Sequence, residues 1–280
     1  MKIHPSTLVP VPNMPVSTYV TNYAKDLARF LMGRSDPLMP PTRLMFDGPP
    51  DVSTFRQDGE EFLRLFRELG GLKPSDRVLD VGSGIGRKSI PLTGYLGANG
   101  RYDGFDIVSA GVEWCRKNIS ARHGNFRFHV ADVFNSLYNP GGRATAASFR
   151  FPFPDGEFDF VIATSVFTHM LPEDLTNYFA EVGRVLRKGG TAFLTFLLYN
   201  EAVLQLLDSD NPALRFRNIQ QHYRTAYAEL EECIVCYDER FVFRAHESAR
   251  LRIVEPVRYG SWSGRGDYVS YQDIIVSTKV

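Results

Sequence analysis

Three evenly spaced aspartates, a glycine-rich turn and one histidine are the residues of this chain best suited to chemistry. Asp80, Asp106 and Asp132 stand 26 residues apart, each at or just past the end of a short apolar run. Directly after the first acid the chain reads Val81-Gly82-Ser83-Gly84-Ile85-Gly86. Glycines let a backbone turn sharply and approach a bound group where a Cβ would collide. A helix beginning behind such a turn offers unpaired N–H groups to an anion. A carboxylate takes both hydrogen bonds of a diol, and charge-assisted bonds of this kind are about twice as strong as neutral ones. The set therefore suits a ligand with an anionic end, vicinal hydroxyls and an amine. His169 adds a group that titrates near neutrality and can accept the proton of an attacking hydroxyl, help worth roughly 10²–10⁴-fold in rate.

The elements that must position these residues are short. Apolar runs at 78–81, 102–107, 126–130, 158–163 and 192–198 alternate with helical patterns. Such runs predict an α/β fold with a parallel sheet buried on both faces. Ligands of open α/β sheets sit outside the C-terminal strand ends, where Asp80, Asp106 and Asp132 fall. Helical spacing is expected at 17–32, 54–69 and 174–186, with Gly70-Gly71 and Gly189-Gly190 as the stops of the last two. Residues 252–259 and 274–278 read as the final strands, and 200–240 reads as polar and irregular.

The stretch Val78-Leu79-Asp80-Val81-Gly82-Ser83-Gly84-Ile85-Gly86-Arg87 spaces its glycines as G-x-G-x-G, not as the G-x-G-x-x-G of nicotinamide and flavin enzymes. With its acid two residues before the first glycine, it resembles motif I of class I S-adenosylmethionine (SAM) methyltransferases. The resemblance implies a Rossmann-like seven-stranded sheet with helices on both faces and a reversed last strand. It also implies SAM as cofactor and S-adenosylhomocysteine as product. In that arrangement Asp80, Val81, Gly82, Ser83, Gly84 and Gly86 hold the methionine part. Asp106 and Ile107 meet the ribose, Asp132 and Val133 the adenine, and Ala163-Thr164 faces the sulfonium.

Residues Phe158-Asp159-Phe160-Val161 through His169 resemble the F-D-x-V…H pattern of the small-molecule branch of that family. Neither the N/D-P-P-Y/F pattern of base and glutamine N-methylation nor a Pro-Cys pair for cytosine C5 chemistry accompanies it. The expected reaction is methyl transfer by in-line displacement to a hydroxyl of a small molecule or sugar/glycan. The alternatives are N-methylation of a small amine and a non-catalytic SAM-binding sensor or partner subunit. For His169 three roles stay open: general base, substrate positioning and structure.

The bulk properties limit the partners. The chain has 280 residues, 44% of them apolar, with 32 basic and 32 acidic side chains. Zero formal charge argues against nucleic acid, whose binders carry a basic excess. No apolar run reaches the ~20 residues of a membrane span, and the start lacks a signal-peptide core, so a cytoplasmic protein is expected. Cys115, Cys233 and Cys236 make no disulfide framework. Cys233 and Cys236 form a lone C-x-x-C, short of the four ligands of structural zinc, so no metal is expected. The expected organisation is an N-terminal extension over 1–50 serving as a lid and a methyltransferase domain over 51–280. Within it, 200–240 is an insertion near the acceptor. The long loop 134–149 is either an acceptor wall or surface decoration. The segment 258–265, with Trp262 and Arg265, either stacks on a sugar or packs back on the core.

Overall fold

The computed structural model describes residues 14–33, 36–207 and 215–280. Its strands are β1 (Arg77–Val81), β2 (Arg101–Asp106), β3 (Phe126–Val130), β4 (Phe158–Ala163) and β5 (Leu186–Phe196). They continue with β6 (Leu198–Tyr199), β7 (Asn218–Ile219), β8 (Tyr223–Thr225), β9 (Val235–Asp238), β10 (Leu251–Ile253) and β11 (Asp273–Lys279). The helices are α1 (Val16–Leu31), α2 (Val52–Glu68), α3 (Ser89–Thr93), α4 (Ser109–Cys115), α5 (Pro172–Val185), α6 (Glu201–Leu207) and α7 (Glu239–Ser248).

Seven strands form one sheet in the order β10-β11-β5-β4-β1-β2-β3. β1 with β4, β4 with β5 and β2 with β3 pair in parallel, whereas β11 runs antiparallel to β5. The fold is the Rossmann-like methyltransferase fold that the sequence implied. The central strands bury nearly every side chain, among them Val78, Leu79, Phe160, Val161 and Ile162. That pattern is what a parallel sheet covered on both faces requires.

The described residues divide into two compact units, one of those up to 76 with 82–132 and 137–141, the other of 77–81, 133–136 and those from 142 onward. In the first, α2 starts at Asp51, whose carboxylate accepts the Thr54 N–H at 2.9 Å. It stops as the glycine pair predicts: Gly71 takes φ +67°, and the Leu72 N–H reaches back to the Phe66 carbonyl. Gly59 faces inward on α2, and a Cβ there would lie 2.4 Å from the Arg87 carbonyl oxygen. Alanine normally gains about 1 kcal/mol over glycine in a helix. Here backbone contact outweighs propensity, and Gly59→Ala should lower stability by about 1–3 kcal/mol in urea denaturation.

The second unit departs from the sequence reading in three places. Helix α5 ends at Val185, because Leu186 is already extended and pairs with Phe158. Gly189 and Gly190 therefore lie inside β5, near a register shift opposite Phe158 and Phe160, and are not the helix stop. β5 leaves the sheet at Phe196, and Leu198–Tyr199 joins a second, four-stranded sheet in the order β6-β9-β8-β7. The segment expected to be irregular is thus ordered by pairs too short to show alternation. The strand expected over 252–259 ends at Ile253, and Arg258 makes only an isolated bridge to Ile274.

Candidate cofactor-binding and acceptor residues

In the first unit everything converges on Gly84. Gly82, Gly84 and Gly86 adopt φ of +76°, +56° and +91°, conformations that favour glycine. The N–H groups of Gly82 and Ser83 both donate to the Phe105 carbonyl, at 2.9 and 3.0 Å, so the end of β2 grips the turn. The helix behind the turn, α3, has only five residues. The Asp106 carboxylate accepts the Gly84 N–H at 2.8 Å and the Val108 N–H at 2.7 Å. Each oxygen keeps a second lone pair for a further donor. Burial pushes the Asp106 pKa up to about 6; the charge of Asp47 adds to the rise, while the two N–H donors and Lys88 oppose it.

Asp103, the competing acid on β2, is engaged elsewhere: it pairs with Arg101 Nε at 2.7 Å and His129 Nε2 at 3.3 Å. Asp132 follows β3 and is partly buried, as is Ile107. The Ala131 N–H bonds the Asp106 carbonyl at 2.9 Å, tying the ends of β2 and β3 one residue before Asp132.

The N-terminal extension belongs to this same unit and packs on the turn. Met39, Met45, Phe55 and Ile85 form one buried cluster, with Phe46, Val52 and Trp114 against it. Arg87, only 4% exposed, lies 4.6 Å over the Phe55 ring, donates to Asp58 Oδ2 at 2.8 Å and bonds the Asp47 main-chain carbonyl. Further out, Asp26 of α1 accepts from the N–H groups of Thr42 and Arg43 and from the Arg43 guanidinium. α1 turns its polar side inward, with Asn22 buried, and exposes Val20, Leu27 and Phe30. Neither Asp47 nor Arg87 was singled out by sequence: Asp47 lies in a proline-rich connector without periodicity.

In the second unit Asp80 and Val81 are buried at the end of β1, with Asp80 in register opposite Ile162. Val133 is buried and bridges Ala144, which closes the loop after β3 upon itself. Ala163 and Thr164 end β4, both buried, and the Thr164 hydroxyl has no partner among the described residues. Ser165 follows with φ +59°, its N–H on Thr195 Oγ1 at 2.9 Å.

His169 ends a short 3₁₀ turn, Phe167–His169, and its Nδ1 lies 3.1 Å from the Glu232 carbonyl oxygen. A carbonyl accepts only from N–H, so this bond fixes the tautomer with the lone pair on Nε2. Burial lowers the His169 pKa, partly offset by hydrogen bonds to the main chain at Glu232 and Cys233. The ring is thus neutral at physiological pH, as a proton acceptor must be. The Glu232 carboxylate in turn accepts from the N–H of Ser136 at 2.8 Å and from the Ser136 hydroxyl.

Trp262 is fully buried, with Nε1 on Asp273 Oδ2 at 2.7 Å, so its ring belongs to the core and is not a sugar platform. Arg265 lies 4.1 Å over the Tyr259 ring. Cys236 is buried and Cys233 partly so. Among the described residues no group of three His, Cys, Asp or Glu could hold a metal ion, and no helix is long and apolar enough to cross a membrane.

Within the first unit, a positive-φ glycine cradle and a buried carboxylate with spare lone pairs fit the methionine and ribose parts of SAM. Comparison with known proteins agrees. Residues 78–190 match the family described as "Methyltransferase domain". Over 144 residues, 50% of this chain, the sequence is 26% identical to sterol 24-C-methyltransferase ERG6B of Gibberella zeae. That match spans 32% of the relative, about a third of its length. PH0226 from Pyrococcus horikoshii OT3 superposes with a TM-score of 0.55 at 18% identity, covering 89% of this chain and 99% of that one. The 1,6-didemethyltoxoflavin-N1-methyltransferase of Burkholderia thailandensis, solved with S-adenosylhomocysteine, gives 0.51 at 16% identity, covering 96% and 92%. At such identities the two structures speak for the fold. Residues 78–190 thus match a methyltransferase domain, and the sheet around them has the Rossmann-like methyltransferase fold.

Proposed function

We propose that the chain is a methyltransferase acting on a hydroxyl of a small molecule or sugar/glycan. The observation that carries the methyltransferase reading is the glycine turn whose Gly84 N–H is held by the Asp106 carboxylate at 2.8 Å. In this reading Asp80, Val81, Gly82, Ser83, Gly84 and Gly86 hold the methionine part. Asp106 and Ile107 hold the ribose, Asp132 and Val133 the adenine, and Ala163 and Thr164 lie by the sulfonium. When bound, SAM supplies an electrophilic methyl group. What the chain must add is alignment of the nucleophile, which can supply ~7–11 kcal/mol, and a place for its proton.

His169 is the proposed base, with Nε2 as the accepting atom. A neutral imidazole in a fixed tautomer serves a hydroxyl, and it serves a small amine as well, which keeps N-methylation as the near alternative. A zero net charge favours a small acceptor over nucleic acid. We take residues 51–280 as the catalytic domain and 1–50 as its extension.

The test supplies methyl-labelled SAM and cell extract to the purified protein, then fractionates the label. Label in a small-molecule or glycan fraction is expected. Label in protein or nucleic acid overturns the acceptor class, and SAM binding without transfer to any fraction favours the sensor. Once an acceptor is in hand, His169→Ala should lower turnover by ~10²-fold or more with SAM affinity unchanged. Full rate in the variant removes His169 as the base.

A further inference from the structure

We propose that Asp47, from the N-terminal extension, is a cofactor-binding residue that receives the ammonium of the methionine moiety. The inference rests on the SAM reading above and adds to it a group from outside the glycine motif.

Asp47 stands against the turn itself. A Cβ built on Gly84 would lie 2.7 Å from Asp47 Oδ2 and 3.3 Å from its Cγ. The carboxylate therefore occupies the side of Gly84 that a side chain would fill, while Asp106 holds the N–H of the same residue. Only glycine permits both.

Its place is built. Arg87 bonds the Asp47 main-chain carbonyl, approaches Oδ1 at 3.4 Å and is itself fixed by Asp58 and the Phe55 ring. Gly48, at φ +100°, turns the chain so tightly that a Cβ there would stand 3.0 Å from the Arg87 guanidinium. On the other side of Asp47, Met45 and Phe46 pack with Ile85 of the turn. The extension thus delivers one carboxylate to one glycine, and the neighbouring guanidinium is already shared with Asp58.

The electrostatics ask for a cation. Asp47 and Asp106 repel, and the charge of Asp47 is among the causes that make Asp106 harder to ionise. A cationic group held by Asp47 offsets that repulsion and forms charge-assisted hydrogen bonds. SAM and S-adenosylhomocysteine both carry an aliphatic ammonium. 5′-Methylthioadenosine has the same adenosine and thioether but no amino-acid tail.

Calorimetry with these three compounds on wild type and Asp47→Asn tests the proposal. The variant keeps the side-chain shape, and the Arg87 bond to the main chain is untouched. Affinity for SAM and for S-adenosylhomocysteine should fall ~10-fold or more, the scale of a hydrogen bond to a charged group. Affinity for 5′-methylthioadenosine should stay unchanged, which also shows the turn intact. Undiminished SAM binding overturns the proposal, as does equal weakening of all three. Weakening of SAM alone overturns it too, because the sulfonium would then be the group Asp47 reads. Wild type that binds none of the three would overturn the cofactor reading itself, a result distinct from the others.

Discussion

Asp273→Ala should destabilise the protein by about 3–5 kcal/mol at pH 4.5, and by less at pH 8. The carboxylate is 1% exposed at the first residue of β11 and accepts three bonds: from the N–H of Leu198 and of Gly260, each at 2.6 Å, and from Trp262 Nε1 at 2.7 Å. Alanine leaves three buried donors unpaired, each costing about 1–3 kcal/mol. Trp262 also anchors a cluster with Leu197, Tyr199, Val203, Phe216 and Cys236, which would lose its registration.

The pH dependence follows from burial, which pushes the Asp273 pKa up to about 6 from the ordinary aspartate value of 3.8. A raised folded pKa gives stability that is complete below about 3.8 and lost as pH rises through about 6. Two pKa units correspond to about 3 kcal/mol. Wild type should lose that increment between acid and neutral pH, and the alanine variant should not. Urea denaturation of both proteins at the two pH values measures the difference, and the Asp106 contribution cancels. A penalty that does not shrink at pH 8 would refute the ionisation argument.

Asp106→Asn should weaken SAM binding by about 1.5–3 kcal/mol. Asn retains one acceptor oxygen but turns an NH₂ toward either the Gly84 or the Val108 N–H, and it removes the charge that strengthens bonds to a ribose diol. The substitution should weaken 5′-methylthioadenosine as well, unlike the change at Asp47. With a pKa of about 6, wild-type Asp106 is ionised at pH 8 and largely protonated at pH 5. Diol binding favours the ionised form, so wild-type affinity should fall as pH drops through this range and the Asn variant should respond less. Calorimetry at pH 5 and 8 decides it. Equal affinities of wild type and variant at pH 8 would remove Asp106 from the site.

Strands β1 to β4 and the turn between Val81 and Arg87 were legible because their signals are local. Continuous burial writes an unbroken apolar run, and a positive φ selects glycine. In the sequence Asp106 differs from Asp103 by place alone, one ending its apolar run and the other lying inside it, and the structure engages Asp103 with Arg101 and His129. What escaped depends on pairs distant in sequence. The Ser136 hydroxyl meets Glu232, 96 residues away, and this contact helps hold the segment that carries the His169 partner. The sequence left Trp262 open between a sugar platform and the core because its acceptor, Asp273, looks like any polar residue before a strand. Asp47 sits among prolines and glycines, where no periodicity marks an inward side chain.

The small sheet has a further consequence for how this protein can change. β6 and β9 pair in parallel, with Tyr199 opposite Asp238, so residues 200–237 depart and return one strand spacing apart, about 4.8 Å. The excursion is closed at its base like a cassette. Doubling such a segment costs only about 0.6 kcal/mol of closure entropy, so its exposed turns can be lengthened so long as Val203, Phe216, Glu232 and Cys236 keep their buried contacts and hydrogen bonds. The scaffold and its cassette are therefore free to diverge at different rates.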